Sequence, residues 1–487
     1  MKLEDGAKMN KPVHILRYGT VAEKAQLERA INAYDYLAIN GNSAAYVSRA
    51  IAKFIVEKFF NNTEKGFFID PITYAFQKNI HLLKNKPKNG EPTLKKSIQK
   101  LIGSYQEPAN KVYEDTPIQP CDFTNKTLFN GFCTRILDFQ YSIISTYIND
   151  NDLKKYLQYA TGNVDGLLQQ FHPRLLIAPY FYLNPNDIDF ESWLKINEDF
   201  INESIVQSKT QYNDTPVFAQ IVINKDILHN KSTIDSVVNG YRNCKCNGFT
   251  VWVDGFNEHK ENRETLEGFI YFLQSLKLTY GRKQIFNMYG GFFSILLTHP
   301  SIRLLNGVSH GMEYGEYRDV YPVGGGLPVS KYYYMPLHQR KDFTDAFYLL
   351  EYNHILDTSL KNWGSTGKYF DEICKCEQCR KIMDDEMVNF IKFESDQFYK
   401  IVNKKTQTIT RRKKASYETK ENCLFHYLLC KKMEFSLQSR KSIQDLLDGL
   451  KVEKEKYSKS TFLDNDELDY IDNWYDVIMP LARGRNA

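Results

Sequence analysis

A chain of 487 residues, 42% hydrophobic and 25% charged, is long enough for one large domain with additions or for two to three ordinary ones, and its composition is that of a globular protein. A net charge of +4 is too small to demand a polyanionic partner, although local clusters can still attract one. No apolar run approaches the roughly 18 residues of a membrane span. The opening "MKLEDGAKMNKPVHILRYG" lacks the apolar core of a signal peptide, and nine cysteines without a regular framework favour reduced thiols in a cytoplasm.

Eight short apolar, β-branched or aromatic runs read as strands: "HILRYG" (14–19), "YDYLAIN" (34–40), "GFFID" (66–70), "RLLIAPYFYL" (174–183), "VFAQIVIN" (217–224), "GFTVWVD" (248–254), "IFNMYGG" (285–291) and "RLLNGVS" (303–309). Stretches such as "AAYVSRAIAKFIVEKFF" and "ENRETLEGFIYFLQSLKLTY" lie between them with apolar residues at helical spacing. Alternating β and α units imply a parallel sheet, and eight strands predict an α/β fold, a (β/α)₈ TIM barrel.

The interval between the third and fourth strands breaks the rhythm and predicts a large helical and basic insertion over about 78–172. Near its start, "KNKPKNGEPTLKKSIQK" (84–100) carries six lysines and one glutamate. After the eighth strand come "PVGGGLPVSKYYYMPLH", a helix near 341–360, a cysteine cluster and a mostly helical tail. These divide the chain into a barrel at 1–340 and a C-terminal helical subdomain at 341–487.

That cluster, "CKCEQCRKIM", places Cys374, Cys376 and Cys379 within six residues, close enough to face one ion; soft thiolates suit zinc. A tetrahedral site needs a fourth ligand, and "ENCLFHYLLCKKMEF" offers Cys423, His426 and Cys430 on a predicted helix. A cysteine there would also suit an iron–sulfur cluster.

In a barrel, functional residues sit at the C-terminal ends of the strands. Those positions give Asp70, Tyr182, Gln220, Asp254, Gly290, Gly291 and Asn306. Read blandly, each aspartate is a turn former or cap and Gln220 a core amide. "GGG" (324–326) reads as a phosphate cradle or a plain turn, and His310 and His338 as structural.

The C-x-C-x-x-C after an eighth strand, followed by the histidine of "LFHYLL", resembles the zinc signature of the tRNA-guanine transglycosylase superfamily. The resemblance implies Cys374, Cys376, Cys379 and His426 as ligands of a structural Zn²⁺, with an insertion before His426 that contains the basic "KKTQTITRRKK" (404–414). It also implies a nucleic-acid base exchange. Such a reaction needs a carboxylate to attack C1′, a proton donor or base for the purine, and groups that read the base edge. "GFFIDPITYAFQ" looks like the family's third-strand segment, with Asp70 as its carboxylate. "FAQIVIN" supplies Gln220 to the base, "GFTVWVDGFNE" ends in the base-contacting Glu258, and "IFNMYGGFFSILL" is similar to the seventh-strand turn. Two departures stand out. Tyr180 and Tyr182 replace a base-reading aspartate, and Asn306 occupies the slot of the nucleophilic aspartate, where an amide cannot act. Asp254 is then the candidate nucleophile and Asp70 the second; a shifted alignment brings in Glu313 or Glu316.

The basic runs would attract phosphates, and "KYYYMP" (331–336) offers a stacking surface for an unstacked base. The archaeal tRNA enzymes of the family carry extra C-terminal RNA-binding domains, for which the stretch after "LFHYLL" leaves no room. The expected substrate is therefore DNA rather than tRNA, with a 7-deazaguanine such as 7-cyano-7-deazaguanine inserted for guanine, and other DNA-modification proteins as partners. The competing expectations are a non-catalytic or partner-dependent nucleic-acid-binding subunit, signalled by Asn306, and an enzyme acting on a small phosphorylated substrate.

Overall fold

Val13–Tyr18 (β1), Tyr36–Asn40 (β2), Gly66–Asp70 (β3), Leu176–Ile177 (β4), Val217–Ile223 (β5), Gly248–Val253 (β6), Gln284–Asn287 (β7) and Gly307–Gly311 (β8) form one parallel sheet in a computed structural model of the chain. The structure describes residues 11–484 except 20–23, 60, 61, 63, 86–89, 149–150, 162–170, 314, 322–330, 394–396, 403–408, 415, 460–462 and 464. The sheet order β3-β2-β1-β8-β7-β6-β5-β4 brings its two edges face to face. Between them Arg174 N donates to Phe67 O at 2.8 Å and Tyr180 N to Thr73 Oγ1 at 2.9 Å, without a regular ladder. The result is a nearly closed eight-stranded barrel. β1, β3, β5 and β6 are buried at every position, which explains why they read as largely apolar runs rather than alternating ones.

The helices follow in chain order: α1 (Lys24–Arg29), α2 (Gly41–Tyr46), α3 (Ser48–Phe59), α4 (Lys96–Tyr105), α5 (Lys126–Ile148), α6 (Asn151–Thr161), α7 (Phe190–Gln211), α8 (Lys231–Gly240), α9 (Arg263–Tyr280) and the short α10 (Phe292–Leu296). Asn230 and Asn262 cap α8 and α9, their side chains accepting from Thr233 N and Thr265 N. Helices α4 to α6 occupy the predicted insertion between β3 and β4.

After β8 the chain departs from the β-then-α rhythm. A hairpin of β9 (Lys331–Tyr334) and β10 (Gln339–Asp342) leads to α11 (Phe343–Tyr352), α12 (Thr366–Glu372) and α13 (Glu377–Met383). A second hairpin, β11 (Gln397–Val402) and β12 (Ile409–Lys414), precedes α14 (Tyr417–Gln438), α15 (Ile443–Tyr457) and α16 (Asp469–Arg483). The C-terminal part is therefore less helical than its sequence suggests, and the described part of the basic run 404–414 is a strand. Helix α14 lies where a helix following β8 would pack. Its Phe435 stacks on His14 of β1 at 4.6 Å, its Tyr427 meets His310 of β8 at 5.1 Å, and Arg29 of α1 sits over Phe425 at 4.5 Å.

Three expectations need correction. The eighth strand begins at Gly307, so Asn306 lies at its N-terminal end, opposite the strand ends where Asp70 and Asp254 stand. There its side-chain oxygen accepts from Lys277 Nζ and Ile285 N. Tyr332, Tyr333 and Tyr334 offer no stacking surface; all three are fully buried, with Tyr332 stacked on His426 at 4.4 Å. Gln220 sits in the middle of β5 rather than at its end. The "GGG" at 324–326 and part of the basic run 84–100 lie outside the described residues.

Candidate metal centre and barrel mouth

Cys374, Cys376, Cys379 and His426 converge in the C-terminal part. Their ligand atoms lie within 4.8 Å of one another and all four residues are buried. His426 Nδ1 is 3.8, 3.3 and 3.2 Å from the three Sγ atoms in chain order. Four donors around one small tetrahedral ion stand about 3.5–3.8 Å apart, given metal–sulfur bonds near 2.3 Å. Local structure pre-forms the turn. Cys376 caps α13 with its sulfur accepting from Cys379 N, and Cys374 Sγ accepts from Cys376 N, both at 3.4 Å. The far ring nitrogen of His426 is 2.8 Å from Tyr333 O; donating there, it leaves Nδ1 unprotonated and turned to the thiols. Tyr369 donates its hydroxyl to Cys379 Sγ at 3.1 Å. Cys430, one helical turn beyond His426, comes to 3.7 Å of Cys374 Sγ but is outside the four-way cluster. Cys423 is buried elsewhere on the same helix. All nine cysteines are free thiols. The residues fit a closed four-ligand metal site.

At the C-terminal ends of the strands two aspartates stand in separate settings. Asp70, at the end of β3, is fully buried. It accepts from Arg17 Nη2 at 2.9 Å, from the Tyr180 hydroxyl at 2.6 Å and from Ile72 N at 3.1 Å. Asp254 follows β6 and is partly exposed. Its Oδ2 accepts from the Tyr182 hydroxyl at 2.7 Å and its Oδ1 from Val320 N at 2.7 Å; Asn224 donates in turn to Tyr182 at 2.9 Å. Residues 315–321, after β8, cross the mouth. Trp252 Nε1 and Gly255 N both donate to Arg318 O, and the Tyr321 hydroxyl donates to Tyr74 O.

The other predicted base contacts are engaged inside the protein. Gly290 N donates to Ser309 O at 2.9 Å, and Gly291 N to Glu258 Oε2 at 2.9 Å. Glu258 also accepts from Ser294, and burial lifts its pKa to about 7, the Ser294 hydrogen bond opposing the rise and Glu316 adding to it. A Cβ on Gly291 would come within 2.5 Å of Glu316 Oε2 and 2.9 Å of Glu258 Oε2, so only glycine fits between these carboxylates. Gln220 accepts from Thr250 at 3.1 Å, while its buried Nε2 has no partner among the described residues. Glu313 pairs with Lys420 and Glu316 with Lys431, each at 2.5 Å, both lysines on α14. His310 and His338 are structural contacts: His310 Nε2 lies 2.7 Å from His14 Nε2, and His338 pairs with Glu434 while stacking on Phe292 at 3.5 Å.

Sequence reasoning missed Arg17, Arg318 and Lys431. Arg17 carried a signal: a charged residue inside the apolar run "HILRYG" has to find a buried partner. Lys431 lies in a helix whose burial on several sides is not visible from its mixed composition.

No family model matches the chain, and none of the curated proteins compared with it does either.

Proposed function

We propose that the chain is a transglycosylase on a (β/α)₈ barrel that exchanges guanine in nucleic acid, DNA in preference to tRNA, for a 7-deazaguanine base. The observation that carries the reading is the order of parts. A parallel barrel with aspartates at two strand ends is followed by Cys374, Cys376 and Cys379, and their fourth partner, His426, lies on a helix packed back against the barrel. This is the arrangement implied by the motifs that resemble the guanine transglycosylases.

Asp254 is the better placed nucleophile, because it is partly exposed and both its oxygens are oriented by donors, Tyr182 and Val320 N. Its carboxylate would form a bond to C1′ as the C1′–N9 bond breaks and guanine leaves with the electron pair, taking up a proton. The incoming base would reverse these steps, its N9 bonding to C1′ while the ester bond to Asp254 opens. Asp70, paired with Arg17, serves to hold that guanidinium in place. Zinc at the Cys₃His cluster would be structural, since four protein ligands leave no open position.

The test is retention of labelled guanine or 7-cyano-7-deazaguanine in duplex DNA, single-stranded DNA or bulk tRNA. Exchange into DNA is expected, falling at least about a thousandfold in Asp254→Asn, the scale of losing an essential catalytic group. Full exchange by Asp254→Asn removes it as nucleophile. No exchange into any polymer by folded, zinc-loaded protein rejects the activity.

A further inference from the structure

The mouth of the barrel holds two arginines against a single bonded carboxylate. Arg17, on β1, is 3% exposed and gives Nη2 to Asp70 and Asn40. Its other terminal nitrogen, Nη1, is buried and has no hydrogen-bond partner among the described residues. Arg318, on the segment crossing the mouth, is partly buried and donates Nη1 to the Tyr289 hydroxyl at 3.3 Å. Tyr289 joins the two, since the Arg17 guanidinium lies over its ring at 4.7 Å. Among the described residues Asp70 is the one carboxylate bonded to either arginine. Asp254 accepts from the neutral donors Tyr182 and Val320 N. Of the two guanidinium groups, Arg17 is bonded to that one buried carboxylate and Arg318 to none among the described residues, beside the linked rings of Tyr74, Trp252 and Tyr289. A charge left uncompensated in such surroundings is costly, and a buried donor without an acceptor adds to the cost.

We infer that the mouth is an anion site in which Arg17 and Arg318 take a phosphate group, Arg17 through its unpartnered Nη1. Guanidinium forks suit phosphate oxygens. Under the transglycosylase reading, on which this step rests, the phosphate is the phosphodiester beside the nucleotide being exchanged. A free phosphorylated small molecule would present the same chemistry, so the two sources are separated by experiment.

Binding of inorganic phosphate, measured by calorimetry, and of a labelled single-stranded DNA, measured by anisotropy over a range of salt, is compared in the full zinc-loaded chain and in Arg318→Gln. Arg318→Gln removes a partly exposed side chain with a single hydrogen bond among the described residues, so it is the variant expected to fold. Arg17→Lys, which keeps a charge beside Asp70, is the second. The expected result is roughly tenfold weaker binding of both ligands to Arg318→Gln, with the slope of log Kd against log salt for DNA smaller by about one. Phosphate binding that needs Arg318, in a protein that does not bind DNA, keeps the anion site and overturns its polymeric source. Phosphate and DNA binding equal to wild type in both variants, or no binding of either by the wild type, overturns the site. Base exchange is scored separately, so an anion site without exchange rejects the transglycosylase and leaves the site standing.

Discussion

Glu258 accepts hydrogen bonds from Gly291 N and Ser294 and still has its pKa raised from 4.5 to about 7. The rise has a definite consequence for stability. Between pH 4.5 and 7 the folded chain keeps a proton that the unfolded chain has released, so this group's contribution to stability falls as pH rises through that window. The full effect is about 3 kcal/mol above pH 7. Glu258→Gln retains a carbonyl acceptor and cannot ionise. Its stability relative to wild type, from urea melts, is expected to improve by about 1–3 kcal/mol between pH values near 4.5 and 8; equal pH dependence in the two proteins would assign the titration elsewhere. Glu258 was legible as a residue of interest, but its neighbours Ser294, Glu316 and Lys431 come from other elements, so its environment was not.

Helix α14 does two jobs that the chain order hides. It supplies His426 to the cysteine cluster, and it covers β8 and β1 through Tyr427 and Phe435. If it is part of the barrel wall, Phe435→Ala should cost about 3–5 kcal/mol in a denaturant melt, the usual range for a buried phenylalanine. A loss below about 1 kcal/mol would mean that α14 only decorates the barrel. The strands themselves were readable because their apolar, β-branched and aromatic residues cluster between turn formers. The start of β8 was not: "RLLNGVSHG" is apolar at its beginning and polar at its end, while the ladder pairs Gly307 to Gly311 with Val13 to Arg17. That slip put Asn306 at the wrong end of the barrel.

At the scale of the whole molecule, the cysteine cluster and the barrel share side chains. His426 leans on Tyr333 O, the Tyr333 hydroxyl accepts from Lys431, and Lys431 pairs with Glu316 beside Gly291. α16 adds a second link, with Trp474 Nε1 donating to Glu258 O at 3.0 Å. Metal removal should therefore reach the barrel. Chelation is expected to lower the melting temperature of one cooperative transition, seen alike by far-UV circular dichroism and tryptophan fluorescence. A separate low-temperature transition with the main one unmoved would show that the C-terminal part melts alone. No helix of the described residues is long and apolar enough to cross a membrane.

The sequence by itself determined the number and order of the eight strands, although the fourth, read over 174–183, is only Leu176–Ile177 and the eighth starts later than read; it also determined the insertion between the third and fourth and the three clustered cysteines of the candidate metal site. These follow from local apolar runs and from cysteine spacing, which one stretch of chain carries alone. The resemblance already pointed to His426 rather than Cys423 or Cys430, and the tertiary structure brings it into the four-way cluster; only the tertiary structure decided that α14 packs on the barrel wall. It likewise decided that Asp70 pairs with Arg17 and that Gly290 and Gly291 have their N–H groups engaged. Each of these joins residues far apart in the chain or on one face of a helix, and the partner of a buried charge or N–H group is set by which elements pack together.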